Sequence, residues 1–320
     1  MLSISADQVD ACLDYAELVQ TLGEAFKKGA VQPVRHHHNI ERPEGADSTL
    51  LLMPAWSDFS RLAGDDSGYI GVKIAAVSPD NNAIGKPAVM AVYLLMNGTT
   101  GEPLALIDGQ RLTAWRTACA SGLAASYLAR KDASKLLIVG AGALSPMLAR
   151  THSAIRPIED IRIWNRSSEN AEKVAETLRA EGMNASVADD LDAAIGEADI
   201  VSCATLSTVP LVKGALLQPG VHVDLVGAFT PTMRESDDEA MRRASVFVDT
   251  HAGGTKEAGD VVQAIAAGAL TADDIKADFF ELTRGEKPGR TSDDEITLFK
   301  SVGAAIEDLA GGIAIYEKHR

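Results

Sequence analysis

The sequence predicts an α/β protein in which a doubly wound parallel sheet is joined to a second, α+β domain, and three observations carry that expectation. The middle of the chain alternates short, branched apolar runs with stretches of helical periodicity. One of those runs ends in a Gly-x-Gly turn that opens a helix. The earlier part of the chain instead strings strands together without helices between them. Length agrees, since 320 residues correspond to about two domains and bury ample core without disulfides or metals.

Taken in order, residues 69–77 and 89–95 read as strands, and Asn97-Gly98 with Thr100-Gly101 marks a turn after the second. Residues 113–130 are rich in small side chains and helical, leading from the first domain into the second. Leu136-Leu137-Ile138-Val139 reads as a strand buried on both faces, ending in Gly140-Ala141-Gly142. A helix should follow, with Ser145 as its cap, Pro146 in its first turn and Met147, Leu148 and Ile155 facing the core. Residues 161–164 form a second strand; Ser168 then precedes a helix over 169–179 whose apolar positions are Ala171, Val174, Ala175 and Leu178. That completes one βαβ unit. Residues 199–204, 222–226 and 245–249 read as three more strands, giving five or six parallel strands in all. Residues 296–316 read as a helix that folds back on the first domain. The expected domains are therefore 1–118 together with 296–320, and 119–295; no internal repeat or low-complexity tract is visible.

Composition excludes several classes. Hydrophobic residues at 46% and charged residues at 23% match soluble domains and rule out disordered, collagen-like and coiled-coil chains. Thirty basic against forty-five acidic residues give a formal charge of −15, which excludes nucleic acids and anionic membranes as partners. Cys12, Cys119 and Cys203 are odd in number and form no CxxC pair, so neither disulfides nor structural zinc is expected. With no basic leader and no apolar window of about eighteen residues, the expected location is cytoplasmic. His36-His37-His38 on an extended segment point to alternate faces and cannot meet one metal ion; no metal site is expected, although one ring could join a pocket rim. Asp189-Asp190 and Asp293-Asp294-Glu295 read as solvated loops or helix starts, and Cys203 as a small core residue.

The turn Gly140-Ala141-Gly142-Ala143-Leu144 between strand and helix lets backbone approach a pyrophosphate at the helix N-terminus, as in Rossmann-type dinucleotide sites, although the third small position is Ser145. The end of the second strand selects the dinucleotide. There Asn165-Arg166-Ser167 offers a guanidinium and two polar neighbours to a 2′-phosphate, so NADPH is expected, with NADH as the weaker alternative.

Arg35, Lys73 and Arg116 lie outside the nucleotide unit, and in an acidic protein such a cationic set suits a small carboxylate substrate. With the segments 52–55, 100–104, 112–118, 140–143, 163–167, Gly227 with Pro231 and Arg234-Glu235, 257–260 and 299–303, nearly the whole chain resembles the ornithine cyclodeaminase/mu-crystallin family. The resemblance implies that the first domain binds substrate and forms a homodimer. It also implies substrate contacts from Arg35, Lys73, Arg116 and Val302, and cofactor contacts from Arg116, Thr117, Gly140, Ala141, Gly142, Ala143, Leu144, Asn165, Arg166, Ser167, Thr205, Val226, Gly227 and Ser301.

Within the family, residues 161–173 look most like the NADPH-using branch that reduces cyclic ketimines. Where cyclodeaminases carry a catalytic aspartate this chain has Phe229, and an acidic position before the Met-Pro pair is Leu51. A phenyl ring can neither take nor give the protons that cyclodeamination moves. The glutamine usual after the glycine pair is Leu144. Imine reduction asks less: a carboxylate clamp from Arg35 and Arg116, alignment with the nicotinamide, and a proton or hydrogen bond from Lys73, whose pKa is lowered by partial desolvation beside arginines. The implied activity is NADPH-dependent reduction of Δ1-pyrroline-2-carboxylate, and of its six-membered homologue, to L-proline and L-pipecolate. The alternatives are ornithine cyclodeaminase or alanine dehydrogenase activity, or a non-enzymatic mu-crystallin-like binding protein.

Overall fold

The computed structural model of the protein describes residues 1–62 and 67–320. The chain divides into two units, Met1–Arg116 with Ala304–Arg320, and Thr117–Gly303.

The first unit is built on seven strands among the described residues: β1 (Leu2–Ile4), β2 (Ala30–Val31), β3 (His36–Ile40), β4 (Ser48–Ser57), β5 (Tyr69–Val77), β6 (Val89–Asn97) and β7 (Pro103–Asp108). They lie in the order β1-β7-β6-β5-β4-β2, with β3 also paired to β4. Only β1–β7 is a parallel pairing among these strands. Alternation along β5 buries Gly71, Lys73 and Ala75 and leaves Ile74 and Ala76 exposed. On the buried face lies the helix Ala305–Glu317, which packs on β4, β5 and β6 and on the helix Tyr15–Lys28. That second helix buries Leu18, Val19, Leu22 and Phe26, spaced for one helical face. Tyr93, opposite Lys73 across the β5–β6 ladder, fills a slot cut by two glycines: a Cβ on Gly71 would overlap its hydroxyl, and one on Gly312 its ring. The Asn97 turn forms as read, its side-chain oxygen accepting from the Thr99 and Thr100 amides while Gly101 takes a φ of 72°.

The helix Gly109–Leu128 begins at Gly109 rather than at residue 113 and carries the chain from one unit into the other. Its last carbonyls are collared by two arginines. Arg156 donates to the carbonyls of Ala125, Ser126 and Ala129, and Arg290 to that of Leu128, which satisfies acceptors that a helix end leaves open.

The second unit holds seven further strands among the described residues: β8 (Lys135–Val139), β9 (Asp160–Trp164), β10 (Ala185–Val187), β11 (Ile200–Cys203), β12 (His222–Leu225), β13 (Ser245–Val248) and β14 (Thr297–Lys300). All pair in parallel, in the order β10-β9-β8-β11-β12-β14-β13. The strand order reverses between β8 and β11, the switch point at which doubly wound sheets open a ligand crevice at their carboxyl ends.

Two strands go beyond the sequence reading. β10 is three residues long, too short for a periodic signal. β14 corrects the reading of 296–316 as one helix: Thr297–Lys300 are all buried in a strand between β12 and β13. Gly303, at a φ of 80°, then releases the chain into the helix that starts at Ala305. A four-residue buried run has no periodicity to separate strand from helix. The crossing between units thus falls at Gly303–Ala304 rather than before Ile296.

The two helix starts that follow β8 and β9 differ from the reading by one role and one residue. The helix read over 169–179 runs Ser168–Ala180, and Ser167 caps it by accepting from the Asn170 amide. Ser145 is the first residue inside its helix and donates instead to the Gly140 carbonyl at 2.9 Å. Deep in this unit Asp224 accepts from Ser121 (3.0 Å) and Ser202 (2.6 Å) and meets His152 Nε2 at 3.3 Å. Burial pushes its carboxyl up, but the His152 and Ser202 hydrogen bonds hold it below the usual range. The network ties the helix Gly109–Leu128 to β11 and β12 through buried polar groups gathered on one carboxylate. Among the described residues no helix is long and apolar enough to cross a membrane.

Candidate active site

The nucleotide half of the site is a backbone feature. The Gly140 amide donates to the Trp164 carbonyl at the end of β9. Its φ of 114°, and the 2.7 Å at which a Cβ would meet the Ala204 carbonyl, leave only glycine. Gly142 is exposed and nothing stands within 4 Å of where its Cβ would be. The helix Ser145–Ile155 begins after Leu144 with no side-chain cap; the Ser145 amide bonds the Gly142 carbonyl and Pro146 has no amide proton, so the open part of the cradle is the space beside Gly142. That geometry fits a dinucleotide pyrophosphate. Ala141 and Leu144 are half-buried and Ala143 is exposed around the turn. Ser145 fills the third position of the fingerprint as a buried brace on the Gly140 carbonyl.

At the end of β9, Arg166 is exposed, with Asn165 and Ser167 half-buried beside it. Asn165 Nδ2 is committed to the Ser167 carbonyl, and Ser167 Oγ to its capping bond, leaving Arg166 as the cation of this corner. Thr205 follows β11 and touches the glycine turn, its Cγ2 lying 3.2 Å from where a Gly140 Cβ would be. Val226 and Gly227 follow β12 and are buried. Ser301 is buried after β14, its amide bonded to the Leu225 carbonyl. Phe229 is an exposed loop residue of this unit.

The substrate half is a charge cluster in the first unit. Lys73 comes from β5, Arg116 from the helix Gly109–Leu128, and Glu307 and Asp308 from the helix Ala305–Glu317; all four are buried. Lys73 Nζ is 3.0 and 2.8 Å from the two Asp308 carboxylate oxygens. Arg116 donates through Nε to Asp308 (3.0 Å) and through Nη1 to Glu307 (2.8 Å). Of the Arg116 guanidinium nitrogens, Nε and Nη1 are thus spent on this helix, leaving Nη2 without a partner among the described residues.

Burial, and after it the Arg116 charge, lower the Lys73 pKa to about 8, against the pull of Asp308. Burial alone would raise Asp308, but Lys73 and Arg116 hold it below the usual carboxylate range. Arg35, half-exposed between β2 and β3, adds its positive charge to the field on Lys73. Thr117 is half-buried one residue beyond Arg116.

Sequence reading missed Glu307, Asp308 and Tyr93. The available signal was an acidic pair at the start of an otherwise apolar helix, 304–315, which reads by default as a dipole-favoured first turn. Val302, expected at the substrate, bonds the buried Asp249 through its amide at 2.7 Å and packs with the core of the second unit. Leu51 lies on the same face of the first sheet as Met53 and Lys73, so the position acidic in cyclodeaminases is apolar on the face that carries the lysine. His36, His37 and His38 are exposed on β3. Among the described residues His251, Asp278 and Glu281 come within metal-binding reach of one another. Their ligand atoms are engaged otherwise: Asp278 and Glu281 form the capping box of the helix Phe279–Thr283, and Glu281 also bonds His251.

The family model for the ornithine cyclodeaminase/mu-crystallin family matches residues 3–320. The protein named SAR DEFICIENT 4 of Arabidopsis thaliana is 42% identical over 324 residues, covering 99% of this chain and 97% of its own length. A Δ1-pyrroline-2-carboxylate reductase of Paracoccus denitrificans is 38% identical over 288 residues, 90% of this chain and 91% of its own. Among solved structures, the Δ1-pyrroline-2-carboxylate reductase of Thermococcus litoralis in complex with NADH and L-proline superposes with a TM-score of 0.91 at 33% identity, covering 99% of this chain and 97% of that one.

Proposed function

The chain belongs to the ornithine cyclodeaminase/mu-crystallin family, and from that premise we propose that it reduces cyclic ketimines. The substrate is Δ1-pyrroline-2-carboxylate, giving L-proline, with the six-membered homologue as a second substrate because one methylene alters binding by only about 1–3 kcal/mol. The observation that carries this reading is the charge balance of the first unit. Lys73 and Arg116 pair with Glu307 and Asp308, and the Arg35 charge acts on Lys73: three cations to two carboxylates, so the group holds one positive charge in excess. A single substrate carboxylate neutralises it.

Reduced nicotinamide, when bound, supplies a hydride to the imine carbon. Lys73 holds the proton that the nitrogen must gain. A lysine with a pKa of about 8 is protonated at neutral pH yet gives its proton up more readily than an exposed one. Asp308 fixes Nζ in place, and Arg35 with the Nη2 of Arg116 orients the carboxylate. Nothing at Phe229 or Leu51 can perform the proton transfers of ammonia release.

NADPH is the preferred cofactor in this reading, supported by Arg166. Arg166→Ala should weaken NADPH binding by about tenfold or more while NADH binding hardly changes, the order of one charge-assisted contact; titration of both by fluorescence reads this out. The functional test follows absorbance of the reduced cofactor with purified protein and Δ1-pyrroline-2-carboxylate, with NADH, with pyruvate and ammonia, and with L-ornithine and NAD in parallel. Loss of NADPH with the cyclic imine alone is the expected result. Ammonia from L-ornithine without imine reduction overturns it.

The protein pairs as a homodimer through the outer face of the first sheet. Opposite the face covered by the helix Ala305–Glu317, Ile74 (37% exposed), Val92 (41%) and Met90 (50%) form an apolar patch, with Ile74 directly across from Val92. An exposed apolar sheet face of this kind suits a self-complementary partner. Val92→Glu should give a monomer by light scattering where wild type gives a dimer.

A further inference from the structure

Three charged side chains that neither the substrate cluster nor the glycine turn uses are fully buried together in the second unit: Glu235, Asp260 and Lys300. Lys300 ends β14, Asp260 lies in the first turn of the helix Gly259–Ala266, and Glu235 in the segment between β12 and the helix Asp238–Arg243. Lys300 Nζ stands 3.5 Å from Asp260 Oδ2 and 3.8 Å from Glu235 Oε2. It also donates to the carbonyls of Leu225, at 3.1 Å, and Gly227.

The two carboxylates do different work. Asp260 Oδ1 accepts from the amides of Glu235 and Ser236, each at 2.8 Å, and from the Ser236 hydroxyl at 3.0 Å; it shapes the segment that carries Glu235. Glu235 Oε1 turns the other way and accepts from the Thr205 amide at 2.6 Å and the Thr205 hydroxyl at 2.9 Å. Gly227 passes so close that a Cβ there would strike the Thr205 carbonyl and the Glu235 carboxylate. Thr205 in turn abuts Gly140. One buried carboxylate therefore fixes the segments that leave β11 and β12, beside the glycine turn and at the point where the strand order reverses. Burying a lysine with two carboxylates is a poor way to gain stability compared with apolar packing; what it supplies here is the shape of these two segments.

We propose that Glu235 is a positioning residue for the dinucleotide: as a carboxylate it holds Thr205 and, through Lys300, Gly227 in the arrangement that receives the cofactor. The inference rests on the reading of this unit as a dinucleotide site. The groups that face Glu235 are Lys300 from β14, Asp260 from its helix and Cys203 from β11. Burial raises the Glu235 pKa, Lys300 lowers it and Asp260 raises it, to a result of about 7. Cys203 stays a thiol, pushed well up by burial and then by Glu235. Protonation removes the charge that pairs with Lys300 and weakens the acceptor of both Thr205 bonds. The binding-competent form is the carboxylate, so dinucleotide affinity improves as pH rises through neutrality.

The test measures NADH affinity by fluorescence from pH 6 to pH 8; NADH carries no phosphate monoester titrating in that range. Wild type should bind about tenfold more weakly at pH 6 than at pH 8, the change in the fraction of competent protein around a pKa near 7. Glu235→Gln should bind more weakly at pH 8 and show no slope, while Glu235→Asp, which keeps a titrating carboxylate, should keep one. A flat wild-type profile, or a wild-type slope in Glu235→Gln, overturns the proposal. Should Glu235→Gln not fold, the wild-type profile and Glu235→Asp decide. Absence of NADH and NADPH binding at every pH instead defeats the dinucleotide reading itself.

Discussion

Lys73→Met is expected to lower turnover of Δ1-pyrroline-2-carboxylate by roughly 10²–10⁴-fold, the usual contribution of a positioned general acid, while NADPH affinity stays at the wild-type value. Methionine keeps the length and apolar stem of the side chain on β5 but carries no proton. Lys73 lies on β5 of the first unit and is no part of the glycine turn. The wild-type enzyme should show the same dependence through pH. With its pKa lowered to about 8 by burial and Arg116, Lys73 is the ammonium form below that value and progressively the neutral amine above it. As the ammonium is the donor, kcat/KM falls as pH rises through about 8. Steady-state rates from pH 6 to pH 10 check both statements, and wild-type turnover in Lys73→Met removes the lysine from the mechanism.

Asp308→Asn should move that alkaline limb to lower pH by about one unit or more, because it deletes the carboxylate that stabilises the ammonium and leaves burial and Arg116 to act alone. Both Asp308 oxygens lie within 3.0 Å of Lys73 Nζ, so the charge lost is the nearest one. The same change breaks a fully buried ion pair and leaves Lys73 and Arg116 with only Glu307 between them, which costs on the order of 3–5 kcal/mol of stability. Urea unfolding measures the stability and the pH–rate profile the limb. A limb that stays at the wild-type position means that Asp308 does not set the protonation of Lys73, whatever the loss of stability.

Much of the site was legible because it is local. Gly140, Gly142 and the residues 165–167 announce themselves by following strands and opening helices, and the geometry they need is made within a few residues of backbone. Lys73 and Arg116 stood out as isolated cations in apolar surroundings, and the structure brings them to one carboxylate. Ser145 was misjudged in role because a serine at a helix start reads as a cap, whereas here its hydroxyl is held by the Gly140 carbonyl five residues back. The strand at Thr297–Lys300 was missed because a short, fully buried run carries no period.

By itself, then, the sequence determined the class of the fold, the glycine turn and the family, all of which reside in short contiguous patterns that propensity and spacing express. Only the tertiary structure decided which charges neutralise which. Asp308 meets Lys73 across 235 residues of chain, and Glu235 and Asp260 meet Lys300 from separate segments. A buried charge is defined by its partners and by the water it has lost. Neither quantity exists until distant segments are packed together.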